Sequence, residues 1–301
     1  MKPSVIHMFD PNVHVSPFDI NMAVDAGFDQ VIPYSGVKPE EMERLVQDVI
    51  FSRGPEGVKR TTIFIGGRDL GVAMDMFETC SKTMFEPFEV SVLADPSGAF
   101  TTAAALVACV EFQLREKHRK ELKDCRAVVF GGTGVVGAAT AVLTALNGAK
   151  TTIVDHLSIE TAQAAAEEHQ RRCNCEIKGT FAASEAEKAR LIRNADLVFC
   201  AAKAGIQVLD ASVLEDATQL KVAGDVNAVK PLGIEGIERK DFGAPLKYAT
   251  GSPGAVGVGA LAVGDIKYKL QQKQLRLALT TGPVLIDFRD GLNQARELIK
   301  G

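Results

Sequence analysis

The run Cys125-Arg126-Ala127-Val128-Val129-Phe130-Gly131-Gly132-Thr133-Gly134-Val135-Val136-Gly137 joins an apolar strand to a helix through closely spaced glycines. That pattern suits the binding of a pyrophosphate. Gly132 permits a tight turn, Gly134 lets the backbone approach the phosphates, and Gly137 lets the helix pack closely on the strand. Thr133, Val135 and Val136 complete the turn and open the helix, where N–H groups and the positive end of the dipole favour an anion. A second strand, Thr151-Thr152-Ile153-Val154, ends in Asp155, followed by His156. A carboxylate there can accept both ribose hydroxyls of NAD and would meet the 2′-phosphate of NADP as a like charge. The expected cofactor is therefore NAD or NADP, with NAD favoured. Were the carboxylate turned outward, backbone N–H groups and Ser158 would be left to hold a phosphate. A packed strand-to-helix turn without a nucleotide is the other reading of these glycines.

Three further segments collect polar groups where chemistry is done. Asp95-Pro96-Ser97-Gly98-Ala99-Phe100-Thr101-Thr102 follows a strand and reads either as a substrate loop or as a helix cap made by Ser97 or Thr101. Ser16-Pro17-Phe18-Asp19 places a carboxylate in the first turn of a helix, for a ligand or for the helix dipole. Asp225-Val226-Asn227-Ala228 follows a later strand, where Asn227 faces a nicotinamide or forms a turn. Lys267 and Lys269 lie on a helix near the end of the chain, and spacing alone does not separate them from solvated charges.

The elements that position these residues alternate between strand and helix, the pattern of a mostly parallel sheet. Val5–Phe9, Gln30–Tyr34, Thr61–Ile65 and Val90–Ala94 read as strands of a first lobe, with helices between them. A helix from about Thr101 to Lys117 leads to a charged linker and a second lobe. That lobe holds the glycine turn, the strand ending at Asp155, and strands at Asp196–Ala201 and Leu220–Ala223. The glycine-rich stretch Thr250–Gly259 reads as the return crossing. The expected fold class is α/β with two lobes, a Rossmann-like dinucleotide-binding domain and a discontinuous parallel α/β catalytic domain. Residues 1–122 form the first segment of the catalytic, substrate-binding domain, 123–253 the nucleotide domain, and 254–301 a return segment packing on the catalytic domain. In such a dehydrogenase the substrate faces the carboxyl ends of the strands.

Bulk properties narrow the function. The 301 residues are 46% hydrophobic and 24% charged, and carry a net charge of −4 with the cations scattered, so no nucleic acid and no membrane surface is expected as partner. The longest uncharged apolar stretches fall short of the ~18 residues a membrane span requires. The start of the chain lacks the pattern of a signal peptide, and a cytoplasmic location is expected. Six cysteines form no CxxC pair and five histidines no HExxH motif, so no metal site is expected.

Together, Ser16-Pro17-Phe18-Asp19, Ile65-Gly66-Gly67, Ala94-Asp95-Pro96-Ser97-Gly98 with Thr101-Thr102, the glycine turn, Asp225-Val226-Asn227-Ala228 and Gly257–Lys269 resemble the bacterial methylene-tetrahydromethanopterin dehydrogenases. The resemblance spans nearly the whole chain. It lies closer to the branch that uses NAD or NADP than to the strictly NADP-dependent branch that also accepts methylene-tetrahydrofolate. In the latter an arginine follows the second cofactor strand, where this chain has Asp155-His156-Leu157. The resemblance implies an oxidoreductase of one-carbon metabolism, serving formaldehyde oxidation in methylotrophy. It oxidises 5,10-methylene-tetrahydromethanopterin to the methenyl form by hydride transfer to NAD(P). It further implies a homo-oligomer, a trimer, with Lys267 as the active-site lysine and Asp19, Thr101 and Thr102 at the pterin site. Two rivals stand beside it. One is the same hydride transfer on methylene-tetrahydrofolate, whose reacting ring is shared. The other is a regulatory protein that binds NAD without chemistry, which would show loss of Asp19, Thr102 and Lys267; all three are present.

Overall fold

The computed structural model describes residues 2–300 and divides into two compact units. The first is Met1–Thr101 with Tyr268–Gly291, the second Thr102–Lys267 with Leu292–Gly301. In chain order the elements are β1 (Val5–Asp10), α1 (Pro17–Ala26), β2 (Gln30–Ser35), α2 (Met42–Phe51), α3 (Pro55–Val58), β3 (Thr61–Ile65), α4 (Leu70–Thr83), β4 (Ser91–Ala94) and α5 (Ala99–His118). There follow β5 (Arg126–Phe130), α6 (Val135–Leu146), β6 (Lys150–Asp155), α7 (Ile159–Cys173), β7 (Ile177–Phe181), α8 (Glu185–Ile192), β8 (Leu197–Cys200), α9 (Ala211–Glu215) and β9 (Val222–Asp225). The chain ends with β10 (Phe242–Pro245), β11 (Val256–Val258), α10 (Ala260–Thr280), β12 (Leu285–Ile286) and α11 (Phe288–Lys300).

The first unit holds a parallel five-stranded sheet in the order β12-β4-β3-β1-β2. Its central strands are buried at nearly every position, as strands covered on both faces are, and Ile6, Met8, Phe64 and Leu93 pack with Met22 of α1 and Leu275 of α10. Chain order reverses between β1 and β3, which opens a crevice at their carboxyl ends. Ser16 caps α1 by accepting the Asp19 N–H, and Gly27 ends that helix in the left-handed region at φ 103°.

The second unit holds a seven-stranded sheet, β10-β11-β9-β8-β5-β6-β7, parallel except for the β10–β11 pair. Six of its strands follow the order of a dinucleotide-binding fold, with the reversal between β5 and β8. The α/β expectation holds, and several local readings change. Thr250–Gly259 is not a bare crossing, because Val256–Val258 is a fully buried strand paired with β9. Its glycine content hides it: a Cβ on Gly257 would lie 2.9 Å from Ile237, so the residue is small for packing rather than for turning. The second unit begins at Thr102 rather than near residue 123, since Leu106 and Val110 of α5 pack on Gly224 of β9. Likewise the segment after residue 254 is divided, with only Tyr268–Gly291 in the first unit.

By length and hydropathy Pro96–His118 is apolar enough to cross a membrane, which uncharged stretches alone did not reveal. Most of it is buried in the fold, the environment of a core helix. At the far edge of the sheet α7 presses on β7 so closely that a Cβ on Gly179 would lie 2.2 Å from the Ala162 carbonyl oxygen. Gly179→Ala is therefore expected to cost about 1–3 kcal/mol in urea unfolding, the usual penalty of overpacking.

Candidate functional site

The loops of the first unit meet at the β1/β3 reversal. Asp10 closes β1 as a buried residue, and its carboxylate occupies the space that a side chain on Gly66 would need, 2.3 Å from an ideal Cβ. Asp10 also accepts the Asn12 N–H at 2.7 Å, which turns the chain away from the strand. One residue on, the Gly67 carbonyl accepts the Ser97 hydroxyl at 2.7 Å. Ser97 sits at φ 53°, in the left-handed region, a costly conformation that its side-chain bond helps to hold. Asp95, fully buried, accepts the N–H groups of Phe100 and Thr101 at 2.9 and 3.1 Å and the Thr101 hydroxyl at 2.7 Å. The cap expected of Ser97 or Thr101 is therefore made by Asp95, and Ser97 ties two loops instead.

Asp19 is buried and accepts the Gln271 amide at 2.7 Å. Lys267 lies four residues before Gln271, one turn away on the same face of α10, and is half-buried while Lys269 is exposed. Thr102 follows Thr101 on α5 and is half-buried. Sequence reasoning missed Asp10, Gly66 as its neighbour, and Gln271. The signals were present: an aspartate ending an apolar strand, and a glutamine on the helical stripe that carries Leu275 and Ala278.

In the second unit the glycine turn is built as a close-packed joint. Gly131, not Gly132, takes the positive φ, 73°, that the tight turn requires. A Cβ there would also lie 2.6 Å from the Ala201 carbonyl oxygen, across the β5/β8 reversal. Gly132 instead lets the turn lie against Ile153, 2.5 Å from an ideal Cβ, and Gly137 fits helix to turn, 2.1 Å from the Gly131 carbonyl oxygen. Beside Gly134 the nearest atom is at 3.4 Å, which leaves space on that side. Gly134 is also the N-cap of α6 and supplies no side-chain acceptor, so the first N–H groups of the helix, at Val135 and Val136, face outward uncapped. These features fit a pyrophosphate.

Asp155 lies where a ribose would be read, and it is nearly buried. Its carboxylate accepts the N–H groups of Leu157 (2.6 Å) and Ser158 (3.2 Å) and the Thr133 hydroxyl (2.9 Å). Three of about four acceptor directions are thus used, and room remains for one ribose hydroxyl rather than both. The same bonds occupy the N–H groups that a 2′-phosphate would need, while the Ser158 hydroxyl caps α7 at the Thr161 N–H. His156 stands exposed beside them.

Asp225 closes β9 and accepts the N–H groups of Asn227 (2.9 Å) and Ile234 (3.1 Å). Burial raises its pKa, opposed by these bonds and by contacts with Gly233 and Cys200. Asn227 forms the expected turn: its carbonyl oxygen accepts the N–H groups of Gly205 and Val229, and its amide donates to the Pro231 carbonyl. The side chain thus joins the loops after β8 and β9.

Burial works to raise the Asp155 pKa, but the bonds from Leu157, Thr133 and Ser158 outweigh it and lower the value. A carboxylate with a lowered folded-state pKa stabilises above its unfolded pKa and loses that contribution as pH falls through the folded one. Nucleotide affinity should be flat from neutral pH downward and fall only below the ordinary aspartate range. Thr133→Val should weaken NAD binding about 5- to 10-fold, roughly one hydrogen bond, and Thr133→Ser should not. Isothermal titration with NAD checks both.

A family profile described as the N-terminal part of methylene-tetrahydromethanopterin dehydrogenase matches residues 17–97. Over 299 residues the chain is 42% identical to the NAD(P)-dependent methylenetetrahydromethanopterin dehydrogenase of Methylorubrum extorquens, covering 99% of each. Over 298 residues it is 31% identical to the bifunctional protein MdtA of the same organism, covering 99% of this chain and 100% of that one. A solved shikimate 5-dehydrogenase from Listeria monocytogenes matches with a TM-score of 0.50 at 14% identity, covering 99% of this chain and 96% of that one, a likeness of fold alone. At this identity over the full length, the chain belongs to the methylenetetrahydromethanopterin dehydrogenase family.

Proposed function

We propose that the protein oxidises 5,10-methylene-tetrahydromethanopterin to the methenyl form, with NAD or NADP as acceptor and NAD preferred. The observation that carries this is the full-length likeness to an enzyme of that name, joined to an uncapped glycine turn of pyrophosphate geometry. When bound, the nicotinamide supplies the hydride acceptor. The chain's own residues bind and orient: Val135 and Val136 N–H groups hold the pyrophosphate, Thr133 and Asp155 shape the ribose pocket, and the β1/β3 crevice holds the pterin. The carrier's nitrogens stabilise the product cation, so little acid–base chemistry is asked of the protein. In this reading Asp19, Thr101, Thr102 and Lys267 serve the pterin site, with Asp95, Ser97 and Asn227 holding the loops around the two ligands. The β1/β3 crevice lies in the first unit and the glycine turn in the second.

The NAD preference rests on Asp155, which is ionised and already engages the donors that a 2′-phosphate would seek. The family resemblance supports a homo-oligomer, a trimer. Thiols that are free, with Cys80 and Cys109 pushed up to about 12 by burial, suit the reducing cytoplasm.

An assay with both carriers and both nucleotides tests the reading, and turnover on the folate carrier alone would overturn it. Asp155→Ala should narrow the NAD preference in kcat/KM by about 1–3 kcal/mol. Lys267→Ala should lower kcat about 10- to 100-fold, the value of one charge-assisted hydrogen bond, with nucleotide binding intact. Lys269→Ala serves as the control, and equal turnover of parent and Lys267→Ala would remove Lys267 from the site.

A further inference from the structure

The amino ends of β5, β6 and β7 carry an unusual concentration of positive charge. Arg126, Lys150 and Lys178 stand at or near the starts of these strands, and Arg190 lies on α8; all four are exposed. They line one cavity of 870 Å³. Among the described residues none of the four forms an ion pair, although the field of Arg190 reaches Glu187. Glu176 is the one acid in the lining. The cavity lies beside the short helix α8, whose Ala189 and Ile192 pack with Val128, Phe130 and Val154 toward the other end of the strands.

The charges are placed by register. Arg126 and Lys150 are direct partners across β5 and β6, and Thr152 and Lys178 across β6 and β7. Side chains alternate along a strand, so Arg126, Lys150, Thr152 and Lys178 all project from the face that carries Val128. Like charges directly opposite one another destabilise a sheet unless something neutralises them. In a chain of net charge −4, such a row on a concave floor is a place where an anion would be held. The row spans two strand spacings, roughly 10 Å, which is the reach of a chain of phosphates rather than of a single one. It is also distant from the glycine turn, which follows the opposite end of β5, about 15 Å along the strand.

We propose that this cavity is a second anion site, which binds a polyphosphorylated small molecule through Arg126, Lys150, Lys178 and Arg190. Isothermal titration with inorganic tripolyphosphate and with ATP tests it, in 0.15 M salt (about physiological) and saturating NAD, so that the glycine turn is occupied. Binding should be saturable at one site per chain and weaken with added salt. Lys150→Gln with Lys178→Gln should reduce affinity at least about tenfold, one to two lost charge-assisted contacts. Equal affinity for the two probes identifies the phosphate chain as the ligand, and tighter ATP binding a nucleotide. The double variant removes the facing like charges, so its melting temperature should match or exceed that of the parent, and its NAD affinity should be unchanged. No saturable binding to the parent, or equal binding to parent and double variant, overturns the proposal.

Discussion

The loops that make this protein useful are held by buried carboxylates at the ends of strands. Asp10 ends β1, Asp95 follows β4, Asp155 ends β6 and Asp225 ends β9, and each accepts the N–H of one or more residues just beyond. Burying a carboxylate is costly, and here the cost is offset by charge-assisted bonds to backbone donors that a sharp turn would otherwise leave unmade. The chain thereby acquires rigid turns at the carboxyl edges of both sheets, where parallel α/β folds bind their ligands.

In the first unit the clamps extend from one loop to the next. Asp10 fills the space beside Gly66, Gly67 receives the Ser97 hydroxyl, and Asp95 gathers the start of α5, so a change at any of them is felt around the crevice. In the second unit Asp155 binds its own loop and the Thr133 hydroxyl of the glycine turn, coupling the loop after β6 to that turn. Asp225 and Asn227 do the same for the loops after β8 and β9. Much of the chemistry-bearing polarity in these segments is spent on geometry. That is how a hydride-transfer site is expected to be built, since alignment rather than proton transfer sets the barrier.

The sequence showed the β-α alternation well because short runs rich in β-branched and aromatic residues stand between amphipathic helices: Thr61–Ile65 coincides with the strand observed, and Gln30–Tyr34, at the sheet edge, differs by one residue. It misled where composition and role diverge. Val256–Val258 lies in a glycine-rich run, and Phe242–Pro245 carries Gly243 and ends in proline, so neither shows strand character without its partner. The strand Ile177–Phe181 also went unread, its polar and apolar residues mixed at the edge of the sheet. The glycine turn was legible as a motif, yet the division of labour within it was not. Only the positive φ at Gly131 and the contact of Gly132 with Ile153 show which glycine turns and which packs. Asp95, Asp155 and Asp225 were legible as polar residues in the right places, and Asp10 was not. Whether their oxygens faced a ligand or the backbone depended on loop conformations that spacing does not encode.

Amide hydrogen exchange of the ligand-free protein tests the clamps most directly, because it reads the very N–H groups that the carboxylates hold. The account predicts slow exchange at Phe100, Thr101, Leu157, Ser158, Asn227 and Ile234 before any nucleotide or pterin is added. Exchange at these amides as fast as in an open surface loop, slowing only when ligands bind, would contradict it.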